Sequence, residues 1–205
     1  MGLPLEHSVW SLSRSVPPRS MLSLLIRIDF VLATLLLVAA PLMLLAASVR
    51  RPIVRERLLA YWRASSLLMV TVYLMMDGRP AAFVAGNAAL VLIPLALRYG
   101  DALFVAKEAP LESHVVADWF RRWRSVATIF CVASLPLTLP TLRCVAGTGR
   151  ALCQDWLAPP RELHAALHPS LAPDALGDAA TVGLLLYGAY LIASGIRGAR
   201  AVVRD

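Results

Sequence analysis

Apolar residues in this chain gather into five long runs, near 28–49, 58–76, 81–97, 125–142 and 179–196, divided by polar breaks. At about 1.5 Å of rise per residue, each run gives a helix of roughly 25–30 Å, close to the hydrocarbon thickness of a bilayer. The second and third runs are separated only by Asp77, Gly78, Arg79 and Pro80, all turn formers. The pattern predicts an all-α, polytopic membrane protein: a five-helix transmembrane bundle with a tight hairpin between helices 2 and 3. Residues 1–20 are polar and carry Pro17 and Pro18, so they read as an N-terminal tail before a single transmembrane domain, 21–205.

Each run has its own punctuation. The first contains Pro41 and ends in Ala46-Ala47-Ser48, which imitates a signal peptide. It exceeds the usual core of about 7–15 residues and is therefore read as helix 1. The linker RRPIVRER follows, with Pro52 expected to interrupt the helix. Trp62 and Arg63 stand near the expected start of helix 2, as membrane-interface anchors. Helix 3 places Ala82 four residues before Gly86 and Ala85 four before Ala89, a spacing that permits close helix contact. The polar segment after it ends in DWFRRWR, where Trp119, Trp123 and Arg124 compose an interfacial collar. The outer loop 143–178 contains Pro159, Pro160, Pro169 and Pro173, so it cannot be one continuous helix. Helix 5 has a small-residue face of Gly183, Gly188 and Ala189. No internal repeat supports an inverted-repeat transporter.

Composition agrees with the pattern. Hydrophobic residues make up 59% of the chain and charged residues 16%, against about 25% charged in soluble domains. The formal charge of +7 comes almost wholly from arginines beside apolar runs. With no nucleic-acid module in sight, the expected partners are membrane lipids and other integral membrane proteins, not nucleic acid. Five spans put the termini on opposite sides. One side holds the clusters at 50–57 and 121–124, with Arg63, Arg98, Lys107 and the tail of Arg197, Arg200 and Arg204. The other holds Arg14, Arg19, Arg27, Arg79, Arg143, Arg150 and Arg161. The richer side faces the cytoplasm by the positive-inside rule, which puts the C-terminus inside and the 143–178 loop on the lumenal or periplasmic side. Cys144 and Cys153 both fall in that outer loop, with Gly147 and Gly149 between them to allow a turn. An oxidising compartment lets them pair, so a disulfide is expected. Cys131 lies within helix 4 and reads as a packing residue.

Few polar groups offer chemistry. Arg27, Asp29, Asp77 and Arg79 fall near the outer ends of helices 1 to 3, where charges need partners or water. They read as a salt-bridged clasp between helix 1 and the hairpin turn, or as an ion path continued by Tyr73 and Asn87. Asn87, well inside helix 3, is expected to make an interhelical hydrogen bond, with ligation of a pigment magnesium as the alternative. His164 and His168 are four apart, the spacing of a two-histidine metal site with Glu162 as a third ligand, or of an amphipathic surface turn. No expected span contains a histidine, and there is no phosphate loop, C-x-x-C or nucleophile elbow. No cofactor is expected.

The stretches RIDFVLATLLLVAAPLMLLA and RERLLAYWRASSLLMVTVYLM resemble an uncharacterised family of cyanobacterial multi-pass membrane proteins, a domain of unknown function. Asp29, Phe30, Tyr61, Trp62, Arg63, Ser65, Leu67 and Leu68 carry the likeness, joined later by Cys144 and by the stretch from Cys153 through Trp156 to Pro160. The resemblance covers most of 25–200. It implies a thylakoid or plasma membrane setting and brings no activity with it. Three readings of function follow: an accessory, assembly or scaffold protein acting through helix–helix contacts; a small ion or solute transporter using Asp29, Asp77 and Asn87; and a membrane enzyme with a metal at His164 and His168.

Overall fold

The computed structural model describes residues 21–104 and 114–202. The expected tail at 1–20, Lys107 and Arg204 lie outside the described residues, and Arg197 and Arg200 outside the described side chains. Among the described residues all regular structure is helical, and five helices are long and apolar enough to cross a membrane. They are α1 (Met21–Ala47), α2 (Pro52–Asp77), α3 (Ala81–Phe104), α4 (Val115–Thr138) and α6 (Pro173–Val202). A 3-10 turn, Leu139–Cys144, continues α4, and α5 (Arg150–Leu167) fills the segment between α4 and α6.

Most helices start earlier than the apolar runs suggest, for reasons local to their first turns. Helix α2 begins at Pro52, not at 58, because proline at the first position surrenders an N–H that has no partner there. Pro52 therefore starts a helix where an interruption was expected. Helix α4 begins at Val115, not 125, because the ring of His114 caps it: Ala117 N donates to His114 Nδ1 at 3.1 Å. Helix α3 continues to Phe104, but its backbone breaks at Tyr99, which ends the apolar part. In the 143–178 segment, Pro159 and Pro160 lie inside α5, and the break comes only after Leu167. Trp156, Leu157, Pro159 and Pro160 are buried together, and that packing holds the helix across its prolines.

Pro41 has a different consequence. Lacking an N–H, it cannot serve the carbonyl of Leu37 in α register or of Leu36 in π register. The helix takes a π turn at Leu35–Ala39, and neighbouring helices supply the missing donors. Tyr61 Oη donates to Leu37 O at 2.5 Å, and Trp123 Nε1 donates to Leu36 O at 2.7 Å. Water is absent at membrane depth, so such carbonyls need protein donors. Tyr61 and Trp123 stack edge to face with centroids 4.9 Å apart, and both sit in the main core with Leu58, Ile93, Phe120 and Cys131.

Helices α2 and α3 pack most extensively, through buried Ala82, Ala85 and Ala89. Small residues let the backbones approach, and a Cβ added at Gly86 would stand 3.1 Å from Thr71 Cγ2. The terminal spans are peripheral: 11% of the apolar window of α1 and of α6 is buried, against 44% for α2 and α3.

Candidate functional site

One end of the bundle gathers the ends of α1 to α4, the start of α6, and α5. There α2 ends in a Schellman cap. Gly78 takes φ 78°, Gly78 N bonds to Met75 O, and Arg79 N bonds to Leu74 O. The cap projects Arg79 toward α6. Its guanidinium donates to Asp77 Oδ2 at 2.6 Å, to Asp178 Oδ1 at 2.6 Å and to Thr181 Oγ1 at 2.8 Å. The hydrogen bonds it donates, first to Asp77 and then to Asp178, raise the Arg79 pKa above its ordinary value. Helix α6 comes so close that a Cβ at Gly177 would lie 2.2 Å from Asp77 Oδ2. Only glycine leaves that carboxylate in place.

The four charged residues do not form one clasp between α1 and the turn. Arg27 pairs with Glu162 of α5, at 2.5 and 2.6 Å. Asp29 accepts from Ser134 Oγ of α4 at 2.6 Å. Asp77 and Arg79 belong to the α6 cluster. The partners Glu162, Ser134 and Asp178 come from distant segments, which spacing alone does not bring together.

Between α1 to α4, beneath α5, lies a mostly apolar cavity of about 100 Å³, several times the roughly 10–15 Å³ that one water needs. The N-terminal half of α1 packs on α5, while the π turn and the half after it pack on the core. Asp29, Thr71, Asn87, Thr138 and Thr141 line it, and Trp156 of α5 borders it. Asn87 Nδ2 donates to Phe83 O at 2.8 Å and reaches Thr138 O and Thr141 Oγ1 at 3.4 Å. Thr138 Oγ1 donates to Asn87 Oδ1 at 3.0 Å. Asn87 thus joins α3 to α4. Trp156 is 7% exposed, and its Nε1–H is buried without a hydrogen-bond partner. In the sequence Trp156 stands out only through the family resemblance, and no spacing rule marks it.

Other expected sites fall in different places. The Cys144–Cys153 disulfide is present, with Cα atoms 5.8 Å apart. It ties the end of α4 to α5, beside Trp156 and Leu157. Trp119 is 63% exposed, but Trp123 is a core residue and not a collar residue, since α4 starts earlier and Leu36 offers it an acceptor. Trp62 and Arg63 lie about 15 Å along α2 by rise, not near its start. Arg63 is exposed there, and Arg124 is half-buried. His164 Nε2 lies 3.0 Å from Leu171 O, whereas His168, past the end of α5, lies 3.5 Å from Tyr73 Oη. Among the described residues no cluster of three His, Cys, Asp or Glu side chains forms a metal site.

Residues 23–199 match the DUF3177 family, proteins of unknown function. The chain belongs to that family. No curated protein and no solved structure matches it.

Proposed function

We propose that this DUF3177 protein is an integral membrane accessory, assembly or scaffold component that works by helix–helix contact. The outer face of α6 supports this reading. Val182, Leu185, Leu186 and Ile192 are exposed on one stripe of that helix, with exposed Ala189 between them. A Cβ at the neighbouring Gly188 would meet nothing within 4 Å. In lipid, association comes from close packing at small residues, and this face has them with no partner in the chain. Helices α2 and α3 act as a tight hairpin, the rigid centre to which α6 is fastened through Arg79.

The arginines at 50–57 and 121–124 support a cytoplasmic position for the end of the bundle that carries them, opposite Arg79, with the C-terminus on the same cytoplasmic side. The disulfide supports an oxidising, lumenal or periplasmic position for 143–178. The resemblance to cyanobacterial proteins supports a thylakoid or plasma membrane setting. A second reading, a small ion or solute transporter, draws on Asp29 and Asn87 lining one cavity, although Asp77 is held apart in the Arg79 cluster.

Co-purification from mild detergent tests the leading reading. A defined membrane partner is expected, retained by wild type and lost by Ala189→Leu. A strictly solitary protein, or a partner indifferent to both Ala189→Leu and Gly188→Leu, would count against it. Ion flux that Asp29→Asn abolishes would favour transport instead.

A further inference from the structure

Arg57, Arg98 and Arg124 stand on three different helices, α2, α3 and α4, yet they line one cleft together with Ala60, Ala96, Leu97 and Phe120. In the sequence each borders an apolar run: Arg57 precedes Leu58, Arg98 follows Leu97, and Arg124 precedes Ser125. The three side chains therefore meet at one level, the edge of the hydrocarbon at the end of the bundle opposite Arg79. Small Ala60 and Ala96 leave a space of about 30 Å³ among them, room for about two water-sized oxygens. The cleft continues into an open groove of about 470 Å³ between α3 and α4, where Ser125, Thr128 and Ile129 join Leu97, Arg98 and Arg124. That groove follows α4 into its apolar run, and Ile129 on its wall is 68% exposed.

Bringing like charges together is unfavourable without an anion between them. Among the described residues no acid lines either space. Arg57 also interacts within the chain. Arg98 and Arg124, which line both spaces, have no ion pair among the described residues. Arginine forks match phosphate oxygens, and basic pockets between membrane helices take anionic head groups. A free phosphate accounts for the inner cleft but not for the apolar groove that leads from it into the bilayer.

We propose that this cleft binds an anionic phospholipid, its phosphate held between Arg98 and Arg124 and an acyl chain lying along the α3–α4 groove beside Ile129. The site requires that the chain span a membrane, but not that a particular compartment lie on either side. It lies apart from the outer face of α6, so either assignment can fail without the other.

Titration of the full-length protein in a mild neutral detergent tests the idea, with fluorescent phosphatidylglycerol as probe and zwitterionic phosphatidylcholine as its comparison. Saturable binding of phosphatidylglycerol, in clear preference to phosphatidylcholine, is expected. Arg98→Gln combined with Arg124→Gln should weaken phosphatidylglycerol roughly 25-fold, about fivefold for each arginine. Arg50→Gln combined with Arg51→Gln removes as much charge at the same end, about 9 Å or more from Arg57 by helical rise and so beyond the screening length of about 8 Å. That control pair should change binding less than about twofold. Helix content and the Cys144–Cys153 disulfide check that both pairs fold; Arg98 is exposed, so Arg98→Gln alone serves if its pair does not fold. Excess inorganic phosphate at fixed ionic strength should leave the lipid bound. Equal binding of the two lipids would overturn the assignment, as would equal losses from the two arginine pairs, a folded Arg98→Gln that binds as wild type does, or displacement of the lipid by inorganic phosphate.

Discussion

Replacing Tyr61 by Phe removes one oxygen and little else. The ring is fully buried and packs edge to face on Trp123, and Phe keeps both features. What disappears is the 2.5 Å hydrogen bond to Leu37 O, together with the hydroxyl's contact with Ser65. Trp123 is engaged with Leu36 O and cannot cover both carbonyls. A buried carbonyl left without a donor costs about 1–3 kcal/mol, while hydrogen bonds measured between membrane helices average about 0.6 and reach about 1.7 kcal/mol. Tyr61→Phe should therefore cost about 1–2 kcal/mol. The cause lies at Pro41, so the cost should depend on Pro41. In a Pro41→Ala background the new N–H can serve Leu37 in α register, and Tyr61→Phe should then cost under about 0.5 kcal/mol. Helicity followed by circular dichroism through denaturation in mixed micelles gives all four stabilities of this double-mutant cycle. If Tyr61→Phe costs the same in both backgrounds, or nothing in either, the proline–tyrosine account of the π turn is wrong.

Three further outcomes follow. Gly177→Ala forces a Cβ against Asp77, so it should loosen the start of α6 and speed proteolysis in the connection 168–172; unchanged cleavage would show that the contact relaxes freely. Cys144→Ser should lose about 2–3 kcal/mol on the chain-entropy model of so short a loop, and thiol mass-tagging of wild type that reductant does not increase would deny the bond altogether. For Arg79, a raised folded pKa means its contribution is fully present below the ordinary guanidinium value and is lost only as pH rises through the higher one. The stability gap between wild type and Arg79→Gln should therefore stay flat between roughly pH 6 and 10, and a gap that closes toward pH 10 would contradict the pairing.

The spans were legible because lipid imposes a long apolar period that few other settings produce. Their ends were less so. Pro52 and His114 begin helices through single-residue chemistry, a tolerated proline and a ring cap, which hydropathy does not register. The disulfide could be read from two cysteines in one loop. The charge pairs could not, since Arg27 meets Glu162, and Arg79 meets Asp178, across more than ninety residues of chain. Pro41 was visible, but the tyrosine and tryptophan that answer it come from other helices. Trp156 was missed because an orphaned donor is a property of its surroundings alone.

Thiol accessibility in intact cells tests the arrangement most directly. Ser170→Cys lies in the connection between α5 and α6, and Arg51→Cys just before α2, at opposite ends of the bundle and both exposed. A membrane-impermeant maleimide should label Ser170→Cys in intact cells or right-side-out vesicles, and Arg51→Cys only after permeabilisation. Labelling of both from the same side, or of Arg51→Cys alone from outside, would contradict the five-span, positive-inside account.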